Sequence, residues 1–206
     1  MQEAKRLAVF IDASNLWQAQ KTKGQFIDYK KLLLFLRNIS GATIIKVFYY
    51  TAYPANATRD YDLSGKHKFY TYLKKGLGFT VIKKELKQIK TLTSGGIVYE
   101  EKGNMDVELT IDAVDVIDEY DEAILCTGDS DFLALVQYMH VRGKFVRIVS
   151  SRNNVSRELL SGGDAYIDVL ETEEDIWMQK AVQQEPKADR IKEKINGPRR
   201  EDRSRT

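Results

Sequence analysis

The stretch Leu125-Cys126-Thr127-Gly128-Asp129-Ser130-Asp131-Phe132 constrains this chain most, because it sets two carboxylates two residues apart between an apolar run and a helical pattern. Ala123 to Cys126 reads as a buried strand, and Phe132, Leu133, Leu135, Val136 and Met139 recur at helical spacing. The acids therefore fall where a strand ends and a helix begins. In an open parallel sheet that is the carboxyl edge, where ligands bind, above all beside a second acid-bearing strand end. Leu7 to Ile11, followed by Asp12, supplies one. A turn with an N-cap accounts for Gly128 and one polar side chain. It leaves acids on both sides of Ser130 without a role, although an acid in the first turn also gains from the helix dipole.

A chain of 206 residues with 43% hydrophobic side chains suits one α/β domain with an appended segment, and excludes disorder throughout. We place the domain at residues 1–182 and a charged, basic tail at 183–206, with Pro186 to Thr206 expected to be disordered. Asp12 ends the apolar run near the N-terminus, so neither a signal peptide nor a membrane span is expected and the protein reads as cytoplasmic. Cys126 is the single cysteine and falls inside a strand, as a small core residue rather than a nucleophile. His67 and His140 lack metal-ligand spacing.

The net charge of +2 hides a segregation. Asn104 to Asp131 holds ten acids and no Lys or Arg, whereas Gly65 to Lys102 holds nine lysines against three glutamates. Gln179 to Thr206 carries nine Lys or Arg against five acids, so the basic character belongs to the tail. Lys66, Lys68, Lys74, Lys75 and Lys102 form a candidate basic rim for a phosphate backbone. Tyr70, Tyr72 and Phe79 interleave with these lysines, a pattern that can stack bases but individually fits a core contact better.

Along the chain, Ala13-Ser14-Asn15-Leu16 is a polar turn or a helix start, and Tyr29 to Ile39 is a surface helix. Thr43 to Tyr53 is a second buried strand, followed by a polar loop from Ala55 to Ser64. Lys66 to Leu77 reads as a helix with Phe69, Tyr72 and Leu73 inward, and Phe79 to Lys83 as a short strand. Thr93-Ser94-Gly95-Gly96 lies in an inserted hairpin between Lys84 and Glu101. From Asp106 a helix with Val107, Ile111, Val114 and Ile117 on its apolar face carries an opposite stripe of Glu108, Asp112, Asp115 and Glu119. Lys144 to Ser150 is a strand, Val155 to Leu160 a short helix, Tyr166 to Leu170 closes the sheet, and Glu171 to Val182 looks like a final helix.

Asp12, Asp106, Asp129 and Asp131 thus sit at strand or helix ends, without histidine or cysteine partners. Four oxygen donors of this kind suit a hard cation, Mg²⁺ or Mn²⁺. Such an ion polarises a phosphodiester and acidifies water, which points to phosphoryl chemistry without naming its substrate.

Val9-Phe10-Ile11-Asp12-Ala13-Ser14-Asn15-Leu16, Lys102-Gly103-Asn104-Met105-Asp106-Val107 with Asp112, and Thr127-Gly128-Asp129-Ser130-Asp131-Phe132 resemble the three acidic motifs of the NYN domain, a LabA/DUF88-like branch of the PIN-like nucleases. Ser156 to Leu159 and Asp164 to Asp168 are similar to its closing segment. The resemblance runs from about Arg6 to Leu170 and implies a three-layer sandwich around a mainly parallel sheet, divalent metal at the clustered aspartates, and RNA as substrate or ligand. It implies Asp12, Asp106, Asp129 and Asp131 as catalytic and metal-binding residues, with Asn15, Ser130 and Asp112 supporting them. The function expected is a metal-dependent ribonuclease, and the alternative is a noncatalytic RNA-binding or regulatory module that retains the metal site. Partners are RNA, no membrane, and a second copy where the domain oligomerises. A haloacid-dehalogenase-type phosphatase would need a second acid two residues after Asp12, where Ser14 stands.

Overall fold

The computed structural model describes residues 5–53, 64–93, 96–172 and 176–178. Its centre is a six-stranded sheet in which every neighbouring pair is parallel. The strands are β1 (Arg6–Asp12), β2 (Ile44–Tyr53), β3 (Thr80–Glu85), β6 (Glu122–Cys126), β7 (Phe145–Ser150) and β8 (Ala165–Asp168), in the order β3-β2-β1-β6-β7-β8. A separate antiparallel pair, β4 (Lys87–Thr93) and β5 (Gly96–Lys102), forms the expected inserted hairpin.

The chain therefore builds outward from β1 in one direction, then returns and builds outward in the other. Right-handed crossovers send the two halves' helices to opposite faces. Leu7, Val9 and Ile11 point into the core under α1 (Ala13–Lys23), α2 (Tyr29–Ser40) and α3 (Ser64–Thr71). Ala8 and Phe10 point into the core under α4 (Asp106–Asp115), α5 (Leu133–Val141) and α6 (Arg157–Gly162). Every residue of β6 is buried, as its short continuous apolar run requires of a central parallel strand.

Three expectations need correction. The apolar face of α4 is Leu109 and Ala113, continued by Met105 before the helix and Ile117 after it; Val107 and Ile111 are 63% and 61% exposed. Glu108 and Asp112 of the supposed solvent stripe are half-buried because Lys84 and the Tyr50 hydroxyl engage them, at 2.6 and 3.0 Å. After α3 the backbone widens into a π-turn, Tyr72–Gly76, which shifts the phase so that Tyr70 and Leu73 are buried and Tyr72 is exposed. Finally, Ile176 to Met178 are extended rather than helical, with Trp177 bridging antiparallel to Ile27. The loop expected from Ala55 to Ser64 lies outside the described residues apart from Ser64, which instead begins α3, and the tail lies outside them as well. Among the described residues no helix is long and apolar enough to cross a membrane.

Candidate metal centre

The direction of building reverses between β1 and β6, and the crevice beyond their carboxyl ends holds the acids. Asp12 ends β1 and caps α1: its Oδ1 accepts the Ser14 amide at 2.9 Å and the Ser14 hydroxyl at 2.8 Å. Its Oδ2 accepts the hydroxyl of Thr127 at 3.4 Å, and that same Thr127 oxygen accepts the Asp129 amide at 3.3 Å. One buried threonine thus couples the two strand ends. Asp129 in turn caps the short turn Ser130–Phe132, accepting the Asp131 amide at 3.0 Å.

Asp106 arrives from the opposite side as the first residue of α4, and Asn104 donates to it at 2.6 Å. Asp106, Asp129 and Asp131 each offer an oxygen within 4.8 Å of the other two. Burial pushes the Asp106 carboxyl up from its ordinary value, and the negative charges of Asp129, Asp12 and Asp131 push it further. Burial likewise raises Asp12, against the hydrogen bonds from Ser14, Asn15 and Thr127. Among the described residues no lysine or arginine forms an ion pair with any of the four. An oxygen-only donor set whose members repel one another fits a hard divalent cation.

Two grooves meet here. One, about 480 Å³, is polar: Asp12, Ser14, Asn15, Gln18, Asp129, Ser130 and Asn153 are among its lining residues. The other, about 870 Å³, runs from Asp12 and Asp106 past Trp17, Phe26, Tyr50 and Lys66.

Of the expected supporting residues, Asn15 and Ser130 line the polar groove, and the Asn15 Oδ1 accepts the Ser150 hydroxyl of β7 at 2.9 Å. Asp112 is not among the three carboxylates that close on one another; it holds Tyr50, the β2 residue in register with Asp12. Lys66, Lys68, Lys74 and Lys75 are exposed, and of these only Lys66 lines a groove. Lys102 ends β5, and its side chain lies outside the described residues. Tyr70 and Phe79 are core residues, as their individual readings favoured. Sequence reasoning missed Thr127, Asn104, Trp17 and Phe26. A tryptophan among Gln18, Gln20 and Lys21 was the available signal for Trp17.

Residues 6–171 match the NYN domain and span all four acids. The chain belongs to the NYN domain family. This NYN domain, of the PIN-like nuclease superfamily, is 31% identical over 164 residues to the Low amplitude and bright protein LabA of Synechococcus elongatus, covering 80% of this chain and 83% of LabA. The fold is shared with a crystal structure of a Vibrio parahaemolyticus protein of unknown function, at a TM-score of 0.63 and 22% identity over 86% of this chain and 100% of that one. The NYN family and the parallel α/β sandwich were both expected from the three motifs.

Proposed function

We propose that this NYN domain is a Mg²⁺- or Mn²⁺-dependent ribonuclease, with Asp12, Asp106, Asp129 and Asp131 as its metal-binding and catalytic carboxylates. One observation carries the reading: Asp106 at the start of α4 and Asp129 with Asp131 in the turn after β6 close to within 4.8 Å at the switch point of a parallel sheet, with Asp12 from the distant β1 alongside. A divalent cation bound there supplies Lewis acidity toward a phosphodiester and lowers the pKa of water.

The protein's own part is preorganisation. Asp12 and Asp129 are locked by the backbone amides and hydroxyls that they cap, so their carboxylates are set before an ion arrives. Asn15 and Ser130 lend the polar groove groups that bind a nucleic-acid backbone, and Lys66 adds positive charge on the other side. Two other reactive side chains are engaged or buried. His140 is engaged with Asp164 at 2.9 Å, and complete burial pushes the Cys126 thiol well up.

The test is cleavage of mixed RNA and DNA oligonucleotides by purified protein in Mg²⁺ or Mn²⁺, beside Asp129→Asn. RNA cleavage should fall by orders of magnitude in the variant while the fold is kept. Equal cleavage by both proteins removes this site as the catalyst. Metal-dependent RNA binding without cleavage by either installs the noncatalytic module in its place.

A further inference from the structure

We infer that the larger groove is a base-binding subsite, in which an unpaired nucleobase of the RNA strand stacks on the Trp17–Phe26 pair while the adjoining phosphate lies at the acidic cluster. The inference rests on the ribonuclease reading of that cluster and adds the class of strand it accepts.

α1 turns Leu16 and Ala19 onto the sheet, which leaves Trp17 on its outer side, 46% exposed. Phe26 follows the left-handed Gly24, whose φ of 68° ends the helix, and is 60% exposed. Its position is fixed: the Met178 amide donates to the Phe26 carbonyl at 2.8 Å, and the Gln20 side chain accepts the next amide, Ile27, at 2.9 Å. The two rings are stacked, 26° apart with centroids at 6.2 Å, and both keep exposed area on which a base can extend the stack. Nothing in the core requires it, since neither ring is among the buried residues.

The surface belongs to the same groove as Asp12 and Asp106. At about 870 Å³ this groove lies within the range, roughly 300–1,000 Å³, of sites that enclose a small ligand. The Lys21 ammonium lies over the Trp17 ring, 5.6 Å from its centroid, and pairs a cation with the aromatic step. Aromatic faces flanked by cations are how single strands are held without a sequence code. Bases in a duplex are already stacked on one another, so the subsite selects unpaired RNA.

The chain has two tryptophans, and Trp177 is buried, so quenching of Trp17 fluorescence reports stacking. In the Asp129→Asn protein, which binds without cleaving, a short single-stranded oligoribonucleotide should quench emission and a blunt RNA duplex should not. Adding Trp17→Leu should abolish the quench and weaken binding roughly tenfold, the loss of one stacked base. Trp17→Phe should recover most of the affinity. The inference is overturned if Trp17→Leu binds as tightly as its parent, or if the duplex quenches equally. It is overturned as well if sedimentation finds a dimer that Trp17→Leu dissociates with RNA binding unchanged, which assigns the surface to a second copy. The two readings fail separately. Quenching by a wild-type protein that cleaves nothing keeps the subsite and removes the ribonuclease; cleavage with a KM indifferent to Trp17→Leu does the reverse.

Discussion

A methyl group at Gly128 would lie 2.3 Å from the Asn154 carbonyl oxygen and 2.8 Å from the Val155 Cα, because one backbone crosses where a side chain would stand. The crossing is fastened by the Ser156 amide on the Gly128 carbonyl at 2.8 Å, and Asp129 is the next residue. Gly128→Ala should therefore cost about 1–3 kcal/mol of overpacking strain, read from the urea midpoint. Nuclease activity should fall by more than that stability loss explains, since the displaced loop carries two of the acids. Asp106→Asn acts in the opposite sense. Burial and three neighbouring carboxylates disfavour its charge, so the neutral amide should raise the thermal midpoint of metal-free protein while abolishing cleavage. A midpoint lowered by the substitution would mean that Asp106 is held mainly by favourable contacts.

Strands were legible as elements because each is a short apolar run broken by a polar residue, and a parallel sheet needs nothing more to be recognised. Helix faces were less so. On α4 Ala113 and Leu109 pack inward, while Val107 and Ile111 are left in solvent; apolar spacing alone does not tell which side a neighbour will cover. At the amino edge of the sheet, β6 begins with a fully buried Glu122, held by Arg147 of β7 at 3.1 Å and by Lys5 at 2.5 Å. Arg147→Met strips one partner from a buried charge and should cost about 3 kcal/mol, with KM unchanged, because the site is at the other edge. Beside it, hydrogen bonds from Arg6 hold Asp121 down to about 2. A carboxyl depressed from its unfolded value near 3.9 stabilises fully above that pH and ceases to do so as pH falls through about 2. Arg6→Met should accordingly narrow the difference in stability between pH 4 and pH 2 in an acid titration followed by circular dichroism.

For the whole molecule, the acids were legible in sequence, but the 4.8 Å that unites three of them was not. That distance depends on where the start of α4 meets the turn after β6, and the placing of Asp12 beside them depends on β1 and β6 becoming neighbours although about a hundred residues separate them, which only the assembled strand order decides. The Trp17–Phe26 surface was hidden for a related reason, since its members leave different segments and neither marks the other. Assembly also makes metal and stability interdependent. Mn²⁺ at about a hundredfold over its Kd should stabilise the fold by about 2.7 kcal/mol, and Asp129→Asn should lose most of that gain in calorimetry. The short pairing of Trp177 with Ile27 has a practical side. It brings Met178 onto the lining of the aromatic groove. The amino end instead enters β1 from the far edge of the sheet. A surface-immobilised form meant to leave this groove open should be anchored on the Arg6 side of the sheet rather than at Met178.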